Sequence, residues 1–139
     1  MKLLFVAIML CGMSFAHAAA DRLWIGQVEG TAMGDIDKSL NTYRTLFQAQ
    51  FQLSGLRLLD TEKELLEPGQ SSLATFKGGY SMNVTCLRRE VTRYVVSLIL
   101  ADRVGPVLEA QVEIARDSPI ILAGPASTEG RPFFVIDVR

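Results

Sequence analysis

Three arginines stand close together in this sequence, Arg88, Arg89 and Arg93. Their guanidinium forks, gathered at one hairpin end, could clamp a carboxylate, a phosphate or an acidic partner. With Glu90 among them as a local counter-ion, the same residues also suit a solvated turn. Cys86 shares an alternating run with Met82 and Val84, which predicts a buried, unreactive thiol; an intermolecular disulfide is the functional alternative. Trp24 and Phe133 alternate with Ile25 and Phe134 on their strands. They are exposed partner anchors if the sheet is covered on one side, and core if it is covered on both. Asp35 and Asp37 lack a third carboxylate at loop spacing, so helix capping and the first-turn dipole account for them better than calcium does. Asn83-Val84-Thr85 has the form of a glycosylation sequon, but its strand setting argues against use.

Which of these groups can act depends on what the mature chain retains. Met1-Lys2 precedes an apolar run from Leu3 to Phe15, too short to span a bilayer and suited to the core of a signal peptide. Ala16-His17-Ala18 offers small residues at both peptidase pocket positions, so cleavage is expected after Ala18. Leu10 before Cys11 does not suit a lipid anchor. Taking 18 residues from 139 leaves 121, running from Ala19. The sole histidine, His17, leaves with the leader, and so does Cys11. With Lys2 gone, 13 basic and 15 acidic residues leave a charge of -2. Such a chain lacks the imidazole of a Ser-His-Asp or Cys-His mechanism and of His-ligated metal sites. A lone cysteine cannot make an internal disulfide. No phosphate-binding glycine loop occurs, and near-neutral charge opposes nucleic-acid binding. The inventory therefore predicts no catalytic residue, no metal and no cofactor.

The elements that must position these residues follow from periodicity. Leu23 to Glu29 reads as a first strand. Ile36, Leu40, Tyr43 and Phe47 mark one face of an amphipathic helix from about Asp35, its N-cap, to Gln48. The period then becomes two. Phe51 and Leu53 open a strand, Ser54-Gly55 suggests a bulge, and Leu56 to Glu67 is one long strand or two. Glu67-Pro68-Gly69-Gln70 is a type II turn. Strands follow over 72–76, 80–86, 92–100, 108–114, 120–123 and 133–138, with a loop over 127–132 before the last. Residues 92–100 are apolar on both faces, which suits a central strand. The order predicts an α+β fold, one helix packed on a mostly antiparallel meandering sheet, in a single domain over 19–139.

The stretch Val107 to Ile114, then Ile120 to Pro125, then Phe133 to Val138 resembles a strand-turn-strand signature of secretins, the outer-membrane channel proteins. It departs from them in lacking the proline-leucine-glycine gate motif that follows in that family. Leu46-Phe47, Leu56 to Leu59, Pro68-Gly69, Gly79-Tyr80 and Leu122 to Pro125 resemble small exported bacterial proteins of unknown role. These resemblances imply an envelope location and supply no catalytic residue. Together with the leader and the missing histidine, they predict a non-catalytic periplasmic module that binds an envelope protein or serves assembly, as an accessory of a secretion or pilus-like machine. Arg88, Arg89, Arg93, Trp24 and Phe133 are its candidate contacts, and pairing at the terminal strand is its expected mechanism. The alternative is a carrier for a small apolar ligand, with a pocket between helix and sheet.

Overall fold

A computed structural model describes residues 21–126 and 130–139. The leader, its cleavage point after Ala18, and part of the predicted 127–132 loop lie outside the described residues. Among the described residues eight strands run β1 (Arg22–Thr31), β2 (Gly55–Leu65), β3 (Ser71–Thr75), β4 (Ser81–Arg89), β5 (Tyr94–Ala101), β6 (Pro106–Ile114), β7 (Ile120–Ala123) and β8 (Phe133–Val138). A 3-10 segment, Lys38–Tyr43, leads directly into helix α1, Arg44–Phe51. The class is α+β, with the helix on a sheet.

The strands divide between two sheets. β3-β4-β5-β6 forms the expected meander, while β2-β1-β8-β7 sets the first described strand beside the last. Every strand pairing is antiparallel. Leu23 and Ile25 of β1 and Phe134 and Ile136 of β8 face Met82, Val84, Val96 and Leu98 across a shared core. The opposite face of the β1–β8 sheet is covered by Leu40, Tyr43 and Phe47 of the helical segment. The layers are thus helix, sheet, sheet. Burial on both faces explains why Phe133, Phe134, Val135 and Ile136 are buried in succession, since a strand between two layers needs apolar residues on each side.

Several local expectations are corrected. Asp35 does not cap the helix. Its carbonyl accepts from the Leu56 amide (3.0 Å), because 35–37 runs extended beside β2. Asp37 stands at the cap position, but its carboxylate accepts from the Leu58 amide (2.7 Å), tying loop to strand. Phe51 belongs to α1, one turn after Phe47, and packs edge-on against Phe133 with ring centroids 4.9 Å apart. Gln52, in the left-handed region at φ 57°, ends the helix as such residues do elsewhere. The bulge lies at Leu59, skipped between the Gln27–Asp60 and Val28–Leu58 pairs, and not at Ser54-Gly55. The type II turn is as expected: Gly69 has φ 82°, and the Gln70 amide donates to the Glu67 carbonyl at 3.1 Å. β5 is internal to its sheet, as its apolar faces predict.

Candidate functional site

The antiparallel β4–β5 and β5–β6 pairings bring two chain reversals to one end of the sandwich. Arg89 and Arg93 line a crevice there, to which the β6–β7 turn adds Arg116, while Arg88 is not part of its wall. This surface crevice, of about 500 Å3, lies among Arg89, Arg93, Tyr94, Arg116 and Asp21. The cations are already matched. Arg88 pairs with Glu90 (3.2 Å), Arg93 with Glu113 (3.1 Å), and Arg116 with Asp21. Arg89 lies over the Tyr94 ring, 5.7 Å from its centroid. The crevice wall holds Arg89, Arg93 and Arg116 against Asp21, Glu90 and Asp117, so formal charge there cancels. An anion there would compete with the carboxylates that already neutralise Arg93 and Arg116, which weakens the clamp reading.

Asp21 and Tyr94, which the periodicity did not single out, hold this end together. The Tyr94 hydroxyl donates to Asp21 Oδ2 at 2.6 Å. That bond holds the Asp21 carboxyl below its ordinary value of 3.8; burial opposes it and the Arg116 guanidinium reinforces it. Burial, and then the Asp21 bond, push the Tyr94 phenol upward. A carboxyl lowered by folding stabilises the native state above its unfolded value, and that stability is lost as pH falls through the lower folded value. Asp21→Asn is therefore expected to cost about 1 kcal/mol near neutrality, with the deficit shrinking below pH 3.8. Melting curves from pH 7 to pH 2 check this. A gap that stays constant with pH would assign the loss to packing instead.

Trp24 and Phe133 are not surface anchors. Each is 5% exposed, because the helical segment covers the sheet face on which they stand. Trp24 stacks on Tyr43 at 5.8 Å, and the Arg139 guanidinium lies 4.0 Å from the centre of its ring. The Tyr43 hydroxyl donates to Asp137 Oδ2 (2.6 Å) and accepts from Arg139 (2.8 Å). Phe133 sits among Phe47 and Phe51. These rings occupy the space between helix and sheet where a carrier would need its pocket. Cys86 is buried in the inter-sheet core, and burial pushes its thiol upward, as expected of a structural cysteine.

Gln27 makes an unforeseen bridge between the sheets. Its amide Nε2 donates to the Lys77 carbonyl (2.9 Å), and its Oε1 accepts from the Lys77 amide (3.0 Å). A crevice of about 360 Å3 opens beside this clamp, with Tyr80, Leu59 and Arg131 in its wall. The only sequence signal for it was a polar residue amid the apolar run of β1.

The open sheet margins are the remaining sites for a macromolecular contact. The terminal strand β8 is not one of them, since it lies between β1 and β7. The residues of β6 are paired on one side, by β5. Leu108, Ala110 and Val112 of β6 point toward the inter-sheet core yet stay half-buried, opposite Leu100, Leu98 and Val96. Glu109, Gln111 and Glu113 face outward and are exposed. The β7 edge on the same side is four residues long against nine for β6.

No helix among the described residues is long and apolar enough to cross a membrane. No protein-family model matches the chain, and neither does any curated protein or solved structure.

Proposed function

We propose that this chain is a non-catalytic protein-binding or assembly module of the bacterial envelope, exported to the periplasm, which receives an extended partner strand along β6. The open edge of β6 carries this reading. A strand paired on one side offers backbone donors and acceptors to a further strand. The half-buried Leu108, Ala110 and Val112 would gain cover from the added strand, and the alternation of β6 would set which of its side chains point inward. No inward-pointing charge and no internal proline blunts this edge, and its one bulge, at Val107, is confined with Pro106 to the first two positions of the strand. The address rests on the leader and on the resemblance to small exported proteins. The arginine end adjoins β6 through the Arg93–Glu113 pair and would flank the contact.

A photo-crosslinking residue at Glu109 or Gln111 is expected to yield adducts with a second polypeptide in intact cells. The same residue at Asn83, exposed on the outer face of β4, is expected to yield none. Ala110→Lys, an inward charge on the edge, should abolish the β6 adducts while the melting temperature falls by a few degrees at most. Absence of β6 adducts, or adducts indifferent to Ala110→Lys, would refute edge pairing. Fractionation with N-terminal sequencing tests the address, with periplasmic protein beginning at Ala19 expected.

A further inference from the structure

The sequence of β6 is compatible with itself in one antiparallel register. We infer that the strand received along β6 is the β6 of a second copy, giving a two-fold dimer with a continuous sheet across both subunits; this rests on the edge-pairing reading above. β6 has nine residues, and Ala110 is its midpoint. Centring the two-fold axis on Ala110 spans the regular ladder from Leu108 to Val112, just past the bulge at Val107, and sets inward residues against inward residues: Leu108 faces the second copy's Val112, and Ala110 faces Ala110. On the outer face, Glu109 meets the second copy's Gln111, whose amide can donate to the carboxylate, and this contact occurs twice by symmetry. Glu113 falls beside the second copy's bulge at Val107, and its charge is already balanced within its own subunit by Arg93 at 3.1 Å.

Neighbouring registers are worse for stated reasons. Centring on Glu109 sets that carboxylate against its own copy, and centring on Gln111 sets Glu109 against Glu113, and like charges directly opposite are destabilising. A shift of one residue opposes inward to outward side chains along the whole strand. Longer shifts leave much of β6 unpaired. Glu109 has no ion-pair partner of its own among the described residues, so the Gln111 contact is the one that would engage it.

The test is the assembly state of the full chain as recovered from expressing cells, followed by light scattering over a concentration series. A concentration-dependent dimer is expected. Gln111→Lys places a cation opposite Glu109 and should tighten the dimer by about 3- to 10-fold, whereas Gln111→Glu should weaken it by a similar factor. Both substitutions are on an exposed face, so folding is not at issue. The opposite signs separate this register from centring on Gln111, which would set lysine against lysine and weaken the dimer. A monomer at every concentration, or weakening by both variants, overturns the inference. If the chain is monomeric but the β6 crosslinks to another polypeptide persist, edge pairing stands and only the self-pairing fails. If those crosslinks are also absent, both fall.

Discussion

Trp24→Ala is expected to lower the unfolding free energy by about 3–5 kcal/mol, the usual cost of deleting a large buried aromatic. For a domain of this size that corresponds to a fall in melting temperature on the order of 15 °C. The indole touches three things at once. It stacks on Tyr43, supports the Arg139 guanidinium, and fills the space over Gly26. A Cβ on Gly26 would lie 2.5 Å from the Trp24 ring, so this glycine is a notch cut for the indole. Gly26→Ala alone is accordingly expected to cost about 1–3 kcal/mol through overpacking. In the Trp24→Ala background the ring is gone, and the same alanine should cost much less. Urea unfolding of the four proteins in this cycle gives the coupling directly. Additive losses would mean that the glycine serves the backbone and not the ring. A shift of only a few degrees for Trp24→Ala would restore the surface-anchor reading of this residue.

Phe134→Ala should be as severe, again about 3–5 kcal/mol, and for a different interface. Phe134 is fully buried on β8 and packs in T-shaped contacts with Phe76 (centroids 5.1 Å apart) and Tyr80 (6.0 Å), both from the hairpin region between β3 and β4. Trp24 joins helix to sheet, while Phe134 joins sheet to sheet. The Gln27–Lys77 clamp lies in the same region, so the cavity left by alanine can be closed only by moving a segment fixed by two hydrogen bonds. In urea the midpoint should fall with the slope unchanged, as for a pure loss of stability. Phe134→Leu, which keeps most of the volume, should recover more than half of the loss. An alanine variant within about 1 kcal/mol of the parent would show that the two sheets are held together elsewhere.

The two aromatic residues also show where sequence reading stops. Trp24 and Phe133 sit opposite Ile25 and Phe134 by simple alternation, and that much was legible. Whether they met water depended on a second layer over the sheet. The same helix whose apolar face was legible in Leu40, Tyr43 and Phe47 supplies that layer, but a periodicity does not name the surface it packs on. The arginine end was half legible in the same way. Arg88, Arg89 and Arg93 are close in sequence, so one turn unites them. Arg116 arrives through the β5–β6 pairing, and Asp21 through its bonds to Arg116 and Tyr94, contacts across 95 and 73 positions of chain.

By itself the sequence determined what depends on near neighbours: one amphipathic helix, the alternation of β4 and β6, the type II turn at Pro68-Gly69, and the apolar character of β5 that puts it inside a sheet. Tertiary structure alone decided that the strands form two sheets, that β8 is an inner strand while β6 is an edge, and that Asp37 ties a loop to β2 instead of capping a helix. The physical reason is the range of the interactions. Turn geometry and side-chain periodicity are set within a few residues, whereas strand partnership is chosen by the burial of whole faces. Leu23 pairs with Val138 across more than a hundred positions of chain, and that pairing places β1 and β8 between the helical segment and the second sheet, where both of their faces are buried.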